Sequence, residues 1–180
     1  MSQERFRGEH HLKMDGKGRV SIPAEFRRTL QTNDPDWTEG DAPRMFIHYG
    51  AHLKGGLHVY TVRAQEEMEA NVEAMDFGPD RDRAEDNFIT RTQEIRLDDT
   101  GRAVLPQALR NKLNLTDGMQ ILARGRLTFF EMWNPDTYEE LAAAREAEYM
   151  ADKPANFDPR TLLNEGRRRR EELAQQGRQD

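Results

Sequence analysis

The stretch Asp15–Leu30, DGKGRVSIPAEFRRTL, decides how this chain folds, because it occurs twice. Displaced by 83 positions, it lies over Asp98–Leu113, DDTGRAVLPQALRNKL. Asp15 then falls on Asp98, Gly18 on Gly101, Arg19 on Arg102, Pro23 on Pro106, Arg27 on Arg110 and Leu30 on Leu113, while Ile22 and Leu105 share an apolar slot. Six identities in sixteen positions, among them glycine, proline and two arginines, mark a duplication. Two copies are too few for a solenoid, whose units need at least about three stacked neighbours to bury a core. The duplication therefore implies two half-domains that close on each other.

Each copy has a local logic. HHLKM (10–14) and QEIRL (93–97) read as strands leading into the repeat. Asp-x-x-Gly then supplies a turn, since aspartate bonds to backbone two residues on and glycine accepts positive φ. Arg19-Val20-Ser21-Ile22 alternates polar and apolar, the pattern of a strand with one buried face. Pro23 and Pro106 suit the first turn of a helix, where a missing N–H costs nothing. The short helices that follow turn Phe26 and Leu30, or Leu109 and Leu113, inward.

Outward from the repeat the two halves continue in parallel. MFIHY (45–49) and GLHVYTV (56–62) read as a strand pair joined through GAHLKG. MQILA (119–123) and RLTFFEMW (126–133) repeat that pair around Arg124-Gly125. Thr61 caps a predicted helix over 62–75, and Asn134 with Pro135 opens another over 135–150. A further helix is predicted over about 80–91. These acid-rich amphipathic helices need a partner for their apolar side, either the sheet or a neighbouring subunit. The long connection Gln31–Pro43, QTNDPDWTEGDAP, has only NLTDG as its counterpart, and Trp37 is expected to anchor it on the body.

Composition bounds the function. With 180 residues, 36% hydrophobic and 33% charged, the chain has a modest core and heavily solvated segments. The absence of cysteine excludes disulfides, thiolate metal sites and cysteine nucleophiles. The opening MSQERFRGEHH has no apolar export segment, and no run approaches the ~18 apolar residues of a membrane span, so a cytoplasmic chain is expected. Net charge is −6, yet residues 1–30 hold seven Lys/Arg against four acids, leaving −9 on the remaining 150. A basic entry segment on an acidic body would confine a polyanion to one face. The run Arg167–Arg170 in the polar tail, beside Glu171 and Glu172, reads as a solvated face of a short helix.

Other chemistries find little support. His48, His52 and His58 fall across a glycine-rich turn rather than a helix and lack a carboxylate at matching spacing, so no metal is expected. Gly16-Lys17-Gly18-Arg19 is no phosphate loop, because the G-x-x-x-x-G-K-[ST] pattern is absent and the segment leads into a strand. Asp15 and Asp98 read as turn residues that orient Arg19 and Arg102, not as a catalytic carboxylate pair. Nothing assembles a nucleophile, base and oxyanion site, so no enzyme and no cofactor is expected.

The doubled Asp-x-x-x-Arg followed by an apolar residue and proline, after Phe6-Arg7-Gly8, resembles the MraZ family of bacterial transcriptional regulators. The resemblance covers about residues 5–150. It implies AbrB/SpoVT-like half-units, at 5–76 and 93–150, whose swapped hairpins interleave in a mainly β barrel with flanking α-helices (an α+β fold). Residues 77–92 would form a connecting helix and 151–180 a polar tail. It further implies a ring-shaped homo-oligomer in the cytoplasm, at the nucleoid. That ring would bind short direct repeats in double-stranded promoter DNA of the division and cell-wall gene cluster, as a repressor. Lys17 and Arg19 match the family's DNA-contacting positions, followed by Arg7 and by Arg102, with Asp15, Gly18, Asp98 and Gly101 as the turn motif. Thr100 stands where the first copy has Lys17, which implies that the first copy dominates DNA contact. The alternative is an antitoxin-like protein-binding module on the same half-barrel.

Overall fold

The two copies of the repeat are threaded through each other. The computed structural model describes residues 4–176, so the last residues of the expected tail, 177–180, lie outside it. The first copy supplies β1 (Glu9–Lys13), β2 (Arg19–Ser21), α1 (Ala24–Thr32), β3 (Arg44–His48), β4 (Leu57–Tyr60) and α2 (Val62–Glu73). After α3 (Pro79–Glu85), the second supplies β5 (Thr92–Arg96), β6 (Arg102–Val104), α4 (Gln107–Lys112), β7 (Gln120–Gly125), β8 (Phe129–Trp133) and α5 (Pro135–Met150). A last helix, α6, runs over Leu163–Gln176.

Six strands are hydrogen bonded in the order β1-β7-β8-β4-β3-β5, and β2 pairs with β6 as a separate two-stranded ribbon. Every ladder is antiparallel. β1 of the first copy thus pairs with β7 of the second, and β5 of the second with β3 of the first. Exchange of the copies leaves this order unchanged. The interleaved hairpins that the resemblance implied are present, in an α+β fold of antiparallel strands with flanking helices. Two tight turns carry β1 into β2 and β5 into β6, and the bridge Met14–Val20 joins the first pair.

Alternation along β2 and β6 builds the core. Val20 and Ala103 face each other and are fully buried, as are their neighbours Ile22 and Leu105. Phe6, Phe26 and Phe130 meet with ring centroids 5.2, 5.1 and 4.8 Å apart. Truncating one such buried ring costs about 3–5 kcal/mol, so the N-terminal Phe6 is a structural anchor. Leu30 and Leu109 complete the inward faces of α1 and α4, and Leu113 is buried at the C-cap of α4.

Several local expectations need correction. Each proline lies one residue before its helix, at the N-cap with extended ψ, rather than inside the first turn. The helix expected over 80–91 ends at Glu85 and continues as a π-helical turn, Asp86–Thr90. The β7–β8 turn lies at Arg126–Thr128, two residues beyond Arg124-Gly125, with Leu127 at φ 69. The 33–43 loop is held by Asp34, buried and bonded to Arg44, whereas Trp37 donates its indole N–H to Asp41 O inside the loop. Both predicted helix caps are present: Thr61 Oγ1 accepts from Ala64 N and Asn134 Oδ1 from Asp136 N.

The described residues fall into two units, one ending at Glu140 and one starting at Leu141. In the second, Tyr149 and Phe157 meet edge to face and Lys153 Nζ lies 4.7 Å from the Tyr149 ring. Asp158 caps the 3-10 turn that leads into α6, and Arg167–Arg170 are exposed along that helix. Among the described residues no helix is long and apolar enough to cross a membrane.

Candidate nucleic-acid interface

The ribbon β2–β6 and the two turns that feed it bring the repeated residues together. Arg19 pairs with Val104, Val20 with Ala103 and Ser21 with Arg102. Since Val20 and Ala103 point inward, Arg19, Ser21, Arg102 and Val104 share the outer face. Val104 is half exposed there. Each turn also braces the other: Ile22 N donates to Gly101 O (3.0 Å) and Leu105 N to Gly18 O (2.9 Å).

Within the first turn, Asp15 Oδ1 accepts from Lys17 N and Arg19 N, both at 2.9 Å, and Oδ2 accepts from Arg19 Nε at 2.6 Å. The backbone N–H of Arg19 and then its guanidinium hold the Asp15 carboxyl below its ordinary value. The arginine is thereby fixed at its Nε edge, and no hydrogen bond to another described residue engages its terminal nitrogens. Lys17 projects from the same turn and is exposed.

The second turn repeats the scheme with one addition. Asp98 accepts from Thr100 N, Arg102 N and Arg102 Nε (3.1 Å), and Thr100 Oγ1 donates a further bond at 2.6 Å. That hydroxyl, ahead of the Arg102 backbone N–H, pushes the Asp98 carboxyl far below the usual range. Where the first copy offers an ammonium, the second uses its side chain to tie its own turn.

Arg27 and Arg110 form a further pair, to which the sequence reading assigned no role. Arg27, on α1, donates from Nη1 to Ile22 O (2.8 Å) and lies against Gly101 of the other copy, 2.6 Å from where a Cβ would stand. Arg110, on α4, lies against Gly18 in the mirror arrangement, its buried Nε without a hydrogen-bond partner among the described residues. Gly18 and Gly101 both have φ +76. Glycine is therefore required there twice over, for its backbone and for the arginine above it. Their identity in both copies was the available signal.

Arg7 is placed elsewhere. Phe6 N and O both bond to Leu127 at 3.0 Å, so exposed Arg7 lies by the β7–β8 turn, before β1 begins. Lys17 lies beyond the other end of β1. At ~3.3 Å per residue, that five-residue strand alone separates them by roughly 16 Å. Arg19, Arg102 and Lys17 form one group, and Arg7 stands apart from it.

His48 and His58 are cross-strand partners, but each of the three histidines of the turn region bonds to a different residue. His48 Nε2 meets Gln65 Oε1 at 2.6 Å, His52 Nδ1 meets Asn87 Oδ1 at 3.0 Å, and His58 Nδ1 meets Tyr60 Oη at 3.3 Å. Burial lowers the pKa of His48 and takes that of His58 down to about 4. The 3.8 Å approach of His58 to Glu131 is therefore made by a neutral ring and is no ion pair at neutral pH. Buried Glu131 is balanced instead by Arg126 at 3.2 Å and Arg124 at 3.4 Å. Among the described residues, no three His, Cys, Asp or Glu are grouped to hold a metal.

Comparison with known proteins bears on this geometry. Residues 5–47 and 88–159 match the family described as "MraZ protein, putative antitoxin-like". The Transcriptional regulator MraZ of Ruegeria sp. (strain TM1040) is 44% identical over 161 residues, covering 89% of this chain and 95% of that protein. Its namesake in Ruegeria pomeroyi is 43% identical over 163 residues, with the same coverage of both chains. That of Cereibacter sphaeroides (strain ATCC 17025) is 36% identical over 168 residues, 90% of this chain and 97% of that protein. The 33–43 loop and both Asp-x-x-x-Arg turns lie inside the matched segments.

Proposed function

The chain belongs to the MraZ family, and from that premise we propose that it is a transcriptional regulator that binds double-stranded promoter DNA through its β2–β6 ribbon. The observation that carries this reading is the outer face of the ribbon, where Arg19 and Arg102 are each held at Nε by the aspartate of their own turn, with Lys17 beside Arg19. A two-stranded ribbon fits the major groove of B-DNA, and a guanidinium held at one edge keeps donors for a guanine. Arg19 reads a base edge, Lys17 neutralises phosphate and Arg102 adds a weaker contact. Arg7 contacts phosphate only if DNA extends along β1.

In this reading the half-units 5–76 and 93–150, joined by 77–92, are the DNA-binding modules, and the tail 151–180 lies outside them. Subunits form a ring that occupies short direct repeats ahead of the division and cell-wall cluster and represses it, at the nucleoid and without a cofactor. One subunit offers few cations on an acidic body, whereas linked subunits gain avidity of ~10²–10⁴-fold once their spacing fits the DNA. Neighbours around a ring present the same edge in the same sense, which favours direct repeats.

A spacing series tests this reading. Inserting ~5 bp between two repeats turns the second to the opposite side of the duplex, and ~10 bp restores it. Affinity measured by gel shift should fall steeply for the first insertion and recover for the second. Affinity indifferent to spacing would rule out coupled subunits. The family's "antitoxin-like" description favours one second reading, a protein-binding role for the same fold. That reading gains if the purified protein ignores promoter DNA at low salt yet forms a stoichiometric complex with a co-expressed protein.

A further inference from the structure

The ribbon is close to two-fold symmetric, so by itself it would lie in a groove equally well in either direction. Its surroundings are not symmetric. At the first turn, Lys17, Arg19 and Arg110 stand with two carboxylates, Asp15 and Asp117. Asp117 belongs to the short 114–118 connection, and its Oδ2 comes within 3.8 Å of where a Cβ on Gly16 would be. At the second turn the balance is reversed. Arg27 and Arg102 stand with Asp98, Asp99 and Asp41, because Asp99 replaces Gly16, Thr100 replaces Lys17, and the long loop brings Asp41 alongside; Arg96, which also acts on Asp41, is offset by its own partner Glu94 at 3.4 Å.

That loop is held in place. Arg44 bonds to Asp34 and Asp36 at its base, Leu97 N donates to Pro43 O (3.0 Å) one residue before Asp98, and Thr38 N donates to Asp41 Oδ2 (2.9 Å). The Thr38 hydroxyl, ahead of its backbone N–H, keeps the Asp41 carboxyl below its ordinary pKa, hence anionic at neutral pH. Between loop and turn lies a cleft of about 430 Å³, walled by Trp37 and Asp41 on one side and Asp99 and Thr100 on the other.

We propose that the 33–43 loop and Asp99 keep DNA phosphate off the second turn, so that each subunit seats its pseudo-symmetric ribbon on the duplex in one direction only. This rests on the DNA-binding reading given above. Phosphate approaching the first turn meets net positive charge, and phosphate approaching the second meets net negative charge and a wall of loop. The asymmetry turns a ribbon suited to palindromes into a reader of directional sites. The long loop thereby acquires a role that its absence from the second half reflects.

The chain has no cysteine, so a single Gly16→Cys can carry a DNA-cleaving iron chelate. On a duplex with one binding site, strand cuts should fall on one flank only. Adding Asp99→Asn and Thr100→Lys should bring cuts to both flanks and steepen the log–log salt dependence of binding by ~0.9 per added phosphate contact. Asp41→Asn, which keeps an oxygen to accept from Thr38, should strengthen that change further. Equal cutting of both flanks by the Gly16→Cys protein overturns the proposal. So does a one-flank pattern with an unaltered salt slope in the folded Asp99→Asn/Thr100→Lys and Asp41→Asn variants. Absence of cutting and of gel shift from the folded Gly16→Cys protein and its unlabelled parent overturns the DNA-binding reading itself, and this inference with it.

Discussion

The two Asp-x-x-x-Arg turns share a skeleton and differ in what it carries. Both have a glycine at φ +76, an aspartate that accepts two backbone N–H groups, and an arginine bonded through Nε. Both are pressed by an arginine from the opposite copy. The first then adds an exposed ammonium at Lys17, and the second a hydroxyl that turns back on Asp98. What the duplication retains is what the interleaved strands need in order to close. What it has let diverge is the charge presented to a partner. Apart from the paired arginines Arg19 and Arg102, residues identical in both copies are therefore read first as architecture, and those that differ as chemistry.

The largest expected effect breaks the shared part. Alanine at φ +76 costs ~1–2 kcal/mol for its left-handed backbone at either position. At Gly18 the new Cβ would stand 3.0 Å from Leu105 O, which must give by a few tenths of an ångström. At Gly101 it would stand 2.6 Å from Arg27 Nη1 and 2.7 Å from Cδ, so Arg27 must leave and lose its bond to Ile22 O. A lost hydrogen bond adds ~0.5–1.5 kcal/mol. Gly101→Ala should thus destabilise by ~2–3 kcal/mol in urea unfolding, more than Gly18→Ala. Combining Gly101→Ala with Arg27→Ala should cost less than the sum, because residues in contact do not add. Strict additivity would show that Arg27 does not cross to that turn in solution.

The next effect falls on what the turns present to DNA, through an arginine that both copies keep and a lysine that only the first has. Arg19→Ala should cost ~1–3 kcal/mol of DNA affinity and relax base preference. Arg102→Ala should cost less, since the carboxylates around its turn already disfavour phosphate. Lys17→Ala should weaken cognate and scrambled DNA alike, because an ammonium on phosphate carries little base information. Gel-shift titrations of all three on both DNAs decide the matter. Equal losses from Arg19→Ala and Arg102→Ala would mean that the two turns act as equals.

The local features proved legible wherever the deciding contact lies close in sequence. The strands, the caps at Thr61 and Asn134, and the Asp15–Arg19 and Asp98–Arg102 pairs all belong to that class. Gly125 shows the limit. It reads as a turn residue, but it lies in β7, and it is glycine because the backbone of Arg7 passes within 2.4 Å of where its Cβ would be. The turn falls instead on Leu127, whose positive φ no local pattern announces. The anchor of the long loop is hidden from the sequence for a similar reason: Trp37 is the large apolar residue of the loop, while Asp34 becomes buried only through Arg44, ten residues on. The exchange of β1 and β5 is written in no single stretch and entered through family resemblance. Without it, the crossing of Arg27 to Gly101 cannot be seen.

The smallest expected effect concerns acid, and it separates the turns by one hydroxyl. Both aspartates have folded-state pKa values depressed below the ordinary 3.8, and that of Asp98 is depressed further because Thr100 Oγ1 adds a donor. A depressed carboxylate contributes stability that is fully present above its unfolded pKa and is lost as pH falls through its folded pKa. On acidification below 3.8, the Asp15 turn should therefore loosen first and the Asp98 turn at lower pH. Carboxyl-carbon NMR through that range should show Asp15 titrating above Asp98. In Thr100→Val the hydroxyl is gone while both backbone N–H donors and the Arg102 Nε bond remain, so Asp98 should move up toward Asp15. An unmoved Asp98 in that variant would place its depression on the Thr100 and Arg102 backbone N–H groups and the Arg102 guanidinium, and the two turns would then be electrostatically alike at their aspartates.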